Sequence, residues 1–159
     1  MKLLVLSDSH GCRSFMRRCV EVVQPGAIIH LGDHYDDGQI LAEEYPQIPV
    51  YQVPGNCDLH RLYCPDSEIR VLEFEKVRLY LTHGHRHGVK QGLFRLLADA
   101  RAAGAQVVLF GHTHMAVCFD EDGLRVMNPG AASWSGSCGV LELRDGNVIH
   151  CSVIQSADL

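Results

Sequence analysis

The sequence has no long hydrophobic run, no C-x-x-C pair, no basic block and no low-complexity segment, and each absence removes a class of function. No apolar stretch approaches the roughly 20 residues of a membrane-spanning helix, so no membrane partner is expected. The apolar start, Leu3-Leu4-Val5-Leu6, stops at Ser7-Asp8. It is too short for the core of a secretory signal, and no small-residue cleavage site follows. A cytoplasmic protein is the expectation. Seven cysteines are scattered without metal-ligand or disulfide spacing. Their odd count suits a reducing compartment, where thiols pack as small hydrophobes. With a formal net charge of −5 and no basic groove in sight, the chain offers little to hold nucleic acid. A small phosphorylated substrate stays within reach, because bound metal charge outweighs a mild excess of acid locally. Association into a homo-oligomer is left open.

What is present reads as one globular domain over residues 1–159, long enough to bury a core without covalent staples. Short, nearly continuous apolar runs at Lys2–Leu6, Ala27–Leu31, Val50–Val53, Val77–Leu81 and Val107–Phe110 predict strands covered on both faces. Arg13–Val23 and Leu93–Ala103 carry helical spacing and end near Gly, and Gln39–Glu44 predicts a shorter helix before Pro46. Alternation of strand and helix predicts an α/β fold with largely parallel strands. The last third differs. Val117–Phe119 with Leu124–Met127, and Gly139–Leu143 with Val148–Val153, read as hairpins around Asp-Gly turns. Ser133-Trp134-Ser135-Gly136-Ser137 is expected to be an exposed loop.

Each predicted strand runs into a polar cluster: Asp8-Ser9-His10-Gly11, Gly32-Asp33, Gly55-Asn56-Cys57-Asp58, His83-Gly84-His85 and Gly111-His112-Thr113-His114. In open α/β sheets, ligands bind beyond the carboxyl ends of strands. Of the ten histidines, half lie in the two segments His83–His87 and Gly111–His114. Taken singly, an Asp or Ser after a strand caps a helix, and Gly-Asp or Gly-Asn makes a turn. Their joint occurrence at successive strand ends points instead to a metal site. The donors are carboxylates, imidazoles and one amide, which suit manganese, iron, zinc or nickel better than an all-oxygen magnesium or calcium cage. They are too many for one tetrahedral ion, whereas two ions sharing a carboxylate use them all.

In this order the residues resemble the calcineurin-like metallophosphoesterase family. With Asn128-Pro129-Gly130 and the small size, the chain is similar to its compact phosphodiesterase branch in bacteria and archaea, over residues 1 to about 155. The resemblance implies a two-sheet β sandwich flanked by helices, an αββα arrangement. It implies one metal held by Asp8, His10 and His114, a second by Asn56, His83 and His112, and Asp33 bridging them. Asp33, Asn56 and His83 would then be catalytic. Two divalent transition-metal ions are expected, manganese first, with iron, zinc or nickel as alternatives. A metal-bridging hydroxide would attack the phosphorus of a phosphate ester, most simply a diester. Two other readings remain: a non-catalytic protein-binding scaffold of the same fold, and a nuclease. The complete ligand set favours catalysis over the scaffold, and the missing basic groove disfavours the nuclease.

Ser133-Trp134-Ser135 departs from the polar, often Pro-Arg-bearing stretch of relatives, and one departure falls at the site. Larger relatives follow the metal-binding Asn with a His, where this sequence has Cys57, so the proton donor to the leaving group is open. His85 is the nearest substitute in sequence, with a supporting or solvent role as the alternative. Other polar residues have plainer readings. His30 is expected as a satisfied interior histidine, and His34, Asp36 and Asp37 as a solvated loop, with the mouth of the site as the alternative for these three. His60, Arg61, Arg86 and His87 read as surface residues, with contact to a substrate phosphate as the alternative. Cys12 is expected to pack.

Overall fold

The computed structural model describes residues 1–58, 67–133 and 136–159. In β1 (Lys2–Leu6), residues Leu3 to Leu6 have no exposed surface. Side chains alternate along a strand, so Leu3 and Val5 enter the core between the sheets, while Leu4 and Leu6 pack under helices. Those helices are α1 (Arg13–Val23) and α2 (Tyr35–Glu44). Between and after them come β2 (Ala27–His30) and β3 (Val50–Gln52), both parallel to β1.

The second sheet starts with β4 (Ile69–Phe74) and β5 (Val77–Thr82), an antiparallel pair. A short 3-10 turn (His85–His87) and α3 (Phe94–Ala102) lead to β6 (Val107–Leu109), parallel to β5. The hairpin of β7 (Val117–Glu121) and β8 (Leu124–Asn128) adds to the same sheet, with β8 parallel to β6. The chain then returns to the first sheet as β9 (Ser137–Arg144) and β10 (Asn147–Gln155), with β9 antiparallel to β1.

Two five-stranded mixed sheets result, β10-β9-β1-β2-β3 and β4-β5-β6-β8-β7. They pack face to face through Leu3, Val5, Ile29, Leu79, Leu81, Leu109 and Met127. Phe15, Met16, Cys19 and Val20 of α1 cover the outside of the first sheet. Leu96, Leu97 and Ala100 of α3 cover the second. The αββα arrangement is therefore the one the family resemblance implies. No described helix is long and apolar enough to cross a membrane.

Each hairpin joins the open edge of a partly parallel sheet, so both sheets are mixed. Three expectations change. The sequence reading lacks β4, an edge strand with Ile69 and Val71 exposed. It turns into β5 through Glu75-Lys76, both left-handed at φ 50° and 65°, with none of the Gly or Asn that marks such turns. The helix α2 starts at Tyr35, earlier than expected, with Asp36 and Asp37 in its first turn, where acids suit the helix dipole. The expected exposed loop after residue 132 ends early. Ser137 is buried, and its hydroxyl donates to the Pro129 carbonyl at 2.6 Å. Trp134 and Ser135 lie outside the described residues.

Candidate metal centre

The polar strand ends of both sheets converge on one edge of the sandwich. Asp8 follows β1, Asp33 follows β2, Asn56 follows β3, His83 follows β5, and His112 and His114 follow β6. Two groups of ligand atoms come within 4.8 Å of one another: Asp8 with His10 and His114, and Asp8 with Asp33 and His83. Asn56 Oδ1 lies 3.2 Å from His83 Nε2, and the His112 ring lies 5.0 Å from the His83 ring. Every residue expected as a ligand is thus in the cluster. Asp8 is common to both groups, while Asp33 Oδ2 sits beside His83 Nε2 at 3.5 Å.

The local backbone is held in an uncommon shape to achieve this. Asp8, His10, Asp33, His112 and His114 all have positive φ, between 45° and 68°. Such conformations cost non-glycine residues of order 1–3 kcal/mol each and gather at functional sites. Glycine allows the loops to touch. A Cβ on Gly55 would meet Asp33 Oδ1 at 2.1 Å, and one on Gly111 would meet Ser7 Oγ at 1.9 Å.

Hydrogen bonds aim the donor atoms. Ser7 Oγ donates to Asp8 Oδ2 at 2.6 Å, and the His112 amide donates to the same oxygen at 3.1 Å. Asp8 Oδ1 is left buried without a hydrogen-bond partner, a state that water or metal normally relieves. It faces His114 Nε2 at 3.1 Å and His83 Nε2 at 3.8 Å. His83 Nδ1 lies 2.7 Å from the Leu31 carbonyl. A carbonyl only accepts, so Nδ1 carries the proton and the Nε2 lone pair faces the cluster. Donor chemistry, the orphaned Oδ1 and the fixed tautomer all fit divalent metal.

Electrostatics point the same way. Burial, the neighbouring His83 and Lys90 push the His112 imidazole down to about 4, so it is neutral and able to ligate at pH 7. Burial raises the Asp33 carboxyl, but His83 and the Cys57 amide and thiol outweigh it and hold Asp33 below its ordinary range. Burial, with the hydrogen bond to Asp33, pushes the Cys57 thiol up to about 11. Cys57 is therefore a neutral thiol. His85 rests 5.5 Å from the His83 ring, and both its ring nitrogens are buried without a partner. Burial and His83 hold it below the usual imidazole range.

Several residues that the sequence reading named without assigning this role support the centre. Asp58, 1% exposed, accepts the amides of Asp33, Tyr35 and Gly55 at 2.9, 2.9 and 2.8 Å. It pins the Asp33 loop to the Asn56 loop. Asn128 donates to the Gly111 carbonyl at 2.9 Å and to Thr113 Oγ1 at 3.0 Å, and accepts from Gly130. The Asn-Pro-Gly sequence was its signal. Asp37 corrects an expectation: it is 2% exposed, not solvated, and accepts from Ser9, the Gly11 amide and Arg13. Behind it His30 is fully buried against Ser9 Oγ at 3.0 Å, as expected of an interior histidine.

The remaining candidates have partners of their own or fall outside the described residues, and the His34 ring packs 5.1 Å from that of His10. His87 is buried against Tyr80 and Asp99, so it is neither a surface residue nor a phosphate contact. Arg86 pairs with Glu68, and Cys12 packs under the first sheet. His60 and Arg61 lie outside the described residues. Beside Thr113 runs an apolar groove of about 350 Å³, lined by Val89, Leu93, Phe110, Met115 and Phe119, with Lys90 as its cation.

The family model for the calcineurin-like phosphoesterase superfamily domain matches residues 1–146. A probable metallophosphoesterase of Mycoplasma pneumoniae (strain ATCC 29342 / M129 / Subtype 1) is 32% identical over 133 residues, spanning 82% of this chain and 78% of that protein. Phosphodiesterase YfcE of Escherichia coli (strain K12) is 32% identical over 157 residues, spanning 84% of this chain and 80% of its own. Among solved structures, a predicted phosphoesterase from Streptococcus pneumoniae TIGR4 superposes with a TM-score of 0.79 at 23% identity. It covers 99% of this chain and 90% of its own.

Proposed function

Because this chain belongs to the calcineurin-like phosphoesterase superfamily and is a metal-dependent phosphoesterase, we propose that it hydrolyses phosphodiesters at the strand-end cluster. What carries the proposal is the buried, unpartnered Asp8 Oδ1 among His83, His114 and Asp33. Asp8, His10 and His114 would hold one ion and Asn56, His83 and His112 the other, with Asp33 shared by the two sites. The ions would be manganese, with iron, zinc or nickel able to substitute. When bound, they supply an activated water and neutralise the phosphate oxygens for in-line displacement.

The chain's own residues set the rest. Ser7 and the His112 amide occupy Asp8 Oδ2, which leaves Oδ1 for coordination. The Leu31 carbonyl locks the His83 tautomer, and the Cys57 amide fixes Asp33 Oδ1 at 2.9 Å. Cys57 is a weak proton donor, and His85 is neutral near pH 7, so neither readily protonates a departing alkoxide. Good leaving groups are therefore favoured. The apolar groove beside Thr113, with Lys90 on its wall, offers a seat for the organic group of such an ester. The odd number of cysteines, without disulfide spacing in the sequence, suits a cytoplasmic setting.

The test is metal-depleted protein reconstituted with each ion and assayed on bis(p-nitrophenyl) phosphate, p-nitrophenyl phosphate, cyclic nucleotides and single-stranded DNA. Diester turnover that depends on metal is expected. Asp33→Asn should fall to background with loss of bound metal by elemental analysis. Metal binding without turnover of any ester would favour the scaffold, and preferred cleavage of DNA the nuclease. An Asp33→Asn protein that keeps two ions per chain and near-normal turnover would overturn the bridging role.

A further inference from the structure

The two sheets leave an open side where their edge strands β7 and β10 run near each other. Cys118 on β7 and Cys151 on β10 meet there, with Sγ atoms 2.8 Å apart although they are 33 positions apart in sequence. Both are half-buried at the rim of the core between the sheets. They belong to different sheets that no backbone ladder joins. We propose that Cys118 and Cys151 form a reversible disulfide that fastens the two sheets together along this side, independently of the hydrolytic site.

The surroundings suit thiol exchange. Arg125 on β8 lies against both sulfurs while its Nε donates to Asp120 at 2.7 Å. Its charge favours the Cys151 thiolate. Burial and the adjacent Cys118 push the Cys151 thiol up to about 12, which Arg125 only partly offsets, so reaction at neutral pH is slow. With oxidised glutathione as the oxidant, one protein thiolate attacks its S–S bond and releases one glutathione thiolate. The second protein thiolate then attacks the protein sulfur of the mixed disulfide and releases the other. Two electrons pass to glutathione, and the two protein protons end on the released thiols. Contact between the sulfurs makes the second step intramolecular and fast. The other thiols are less suited. Cys19 and Cys138 are near each other but have no exposed surface.

The experiment exposes the purified full-length chain to oxidised glutathione near pH 8.5, then alkylates it and digests it with trypsin. Expected are a mass lower by two hydrogens and tryptic peptides 102–125 and 145–159 joined until reductant is added. Unfolding should move up by roughly 5–15 °C and return with dithiothreitol. Cys118→Ser and Cys151→Ser should each abolish link and shift, whereas Cys12→Ser should keep both. Separate alkylation of Cys118 and Cys151 after overnight exposure, a stable glutathione adduct on either, or a link through other cysteines would overturn the proposal.

Discussion

At the scale of single residues, the centre depends on carboxylates whose second oxygens are already spoken for. Asp58 gives both its oxygens to backbone amides, and removing it takes this acceptor from the buried amides of Asp33, Tyr35 and Gly55. Asp58→Ala should cost roughly 2–4 kcal/mol of stability. It should also weaken metal binding by displacing Asp33, measurable by denaturant unfolding and by metal titration. Asp58→Asn, with one acceptor oxygen, should lie between. Cys57 carries a kinetic prediction. With a thiol in place of an acid, diester cleavage should depend steeply on leaving-group pKa. Cys57→His should flatten that dependence by speeding poor leaving groups, up to about 10²-fold. A shallow dependence in the unaltered protein would mean that a proton donor is already present, and His85→Ala would identify it. Asp8, Asp33, Asn56 and the histidines were legible because their chemistry is written in residue type. Ser7 and Asp58 were not, since a serine or aspartate beside a ligand looks like any turn residue until its partners are known.

At the scale of elements, strands and helices with strong local periodicity were readable: α1 has the expected bounds, and β1 likewise. Weak local signals failed where neighbours decide. The edge strand β4 has half its side chains in solvent, and Gly38 hides the first turn of α2 from a propensity reading. The loops after the strands are where backbone shape matters most. A Cβ on Gly111 would strike Ser7 Oγ and Asp8 Oδ2, at 1.9 and 2.9 Å. Gly111→Ala should therefore pull Asp8 out of line and lower metal affinity by 10-fold or more, an outer-shell effect of the usual order. Gly26→Ala, whose Cβ would meet nothing closer than 3.6 Å, should leave affinity unchanged. Isothermal titration with manganese separates the two outcomes, and equal affinity in both variants would refute the packing account.

At the scale of the whole molecule, stability should depend on both protons and metal. Burial pushes His30 down to about 4 from 6.5, against the opposing pull of Asp37, Asp58 and Asp8. Above about pH 6.5 neither folded nor unfolded chain protonates it. Between about 6.5 and about 4 only the unfolded chain takes up the proton, so stability falls as pH falls through that window. Thermal unfolding in chelator should follow this slope, to which His112 adds in the same direction. His30→Gln should lower the midpoint overall and flatten the slope. Manganese at 100 times its Kd should raise the midpoint by roughly 5–10 °C near pH 7.5, an increment that shrinks in acid as protons compete with the metal. By itself the sequence determined which residues end the strands, what those residues can bind, and where the strongly periodic elements run, because each depends on side-chain chemistry or on neighbours a few positions away. Only the tertiary structure decided that the hairpins divide between two sheets, and that the Leu31 carbonyl orients His83 from 52 positions away. It alone set the His112 amide on Asp8 across 104 positions and brought Cys118 against Cys151. Those pairings depend on how two sheets stack, which no local pattern encodes.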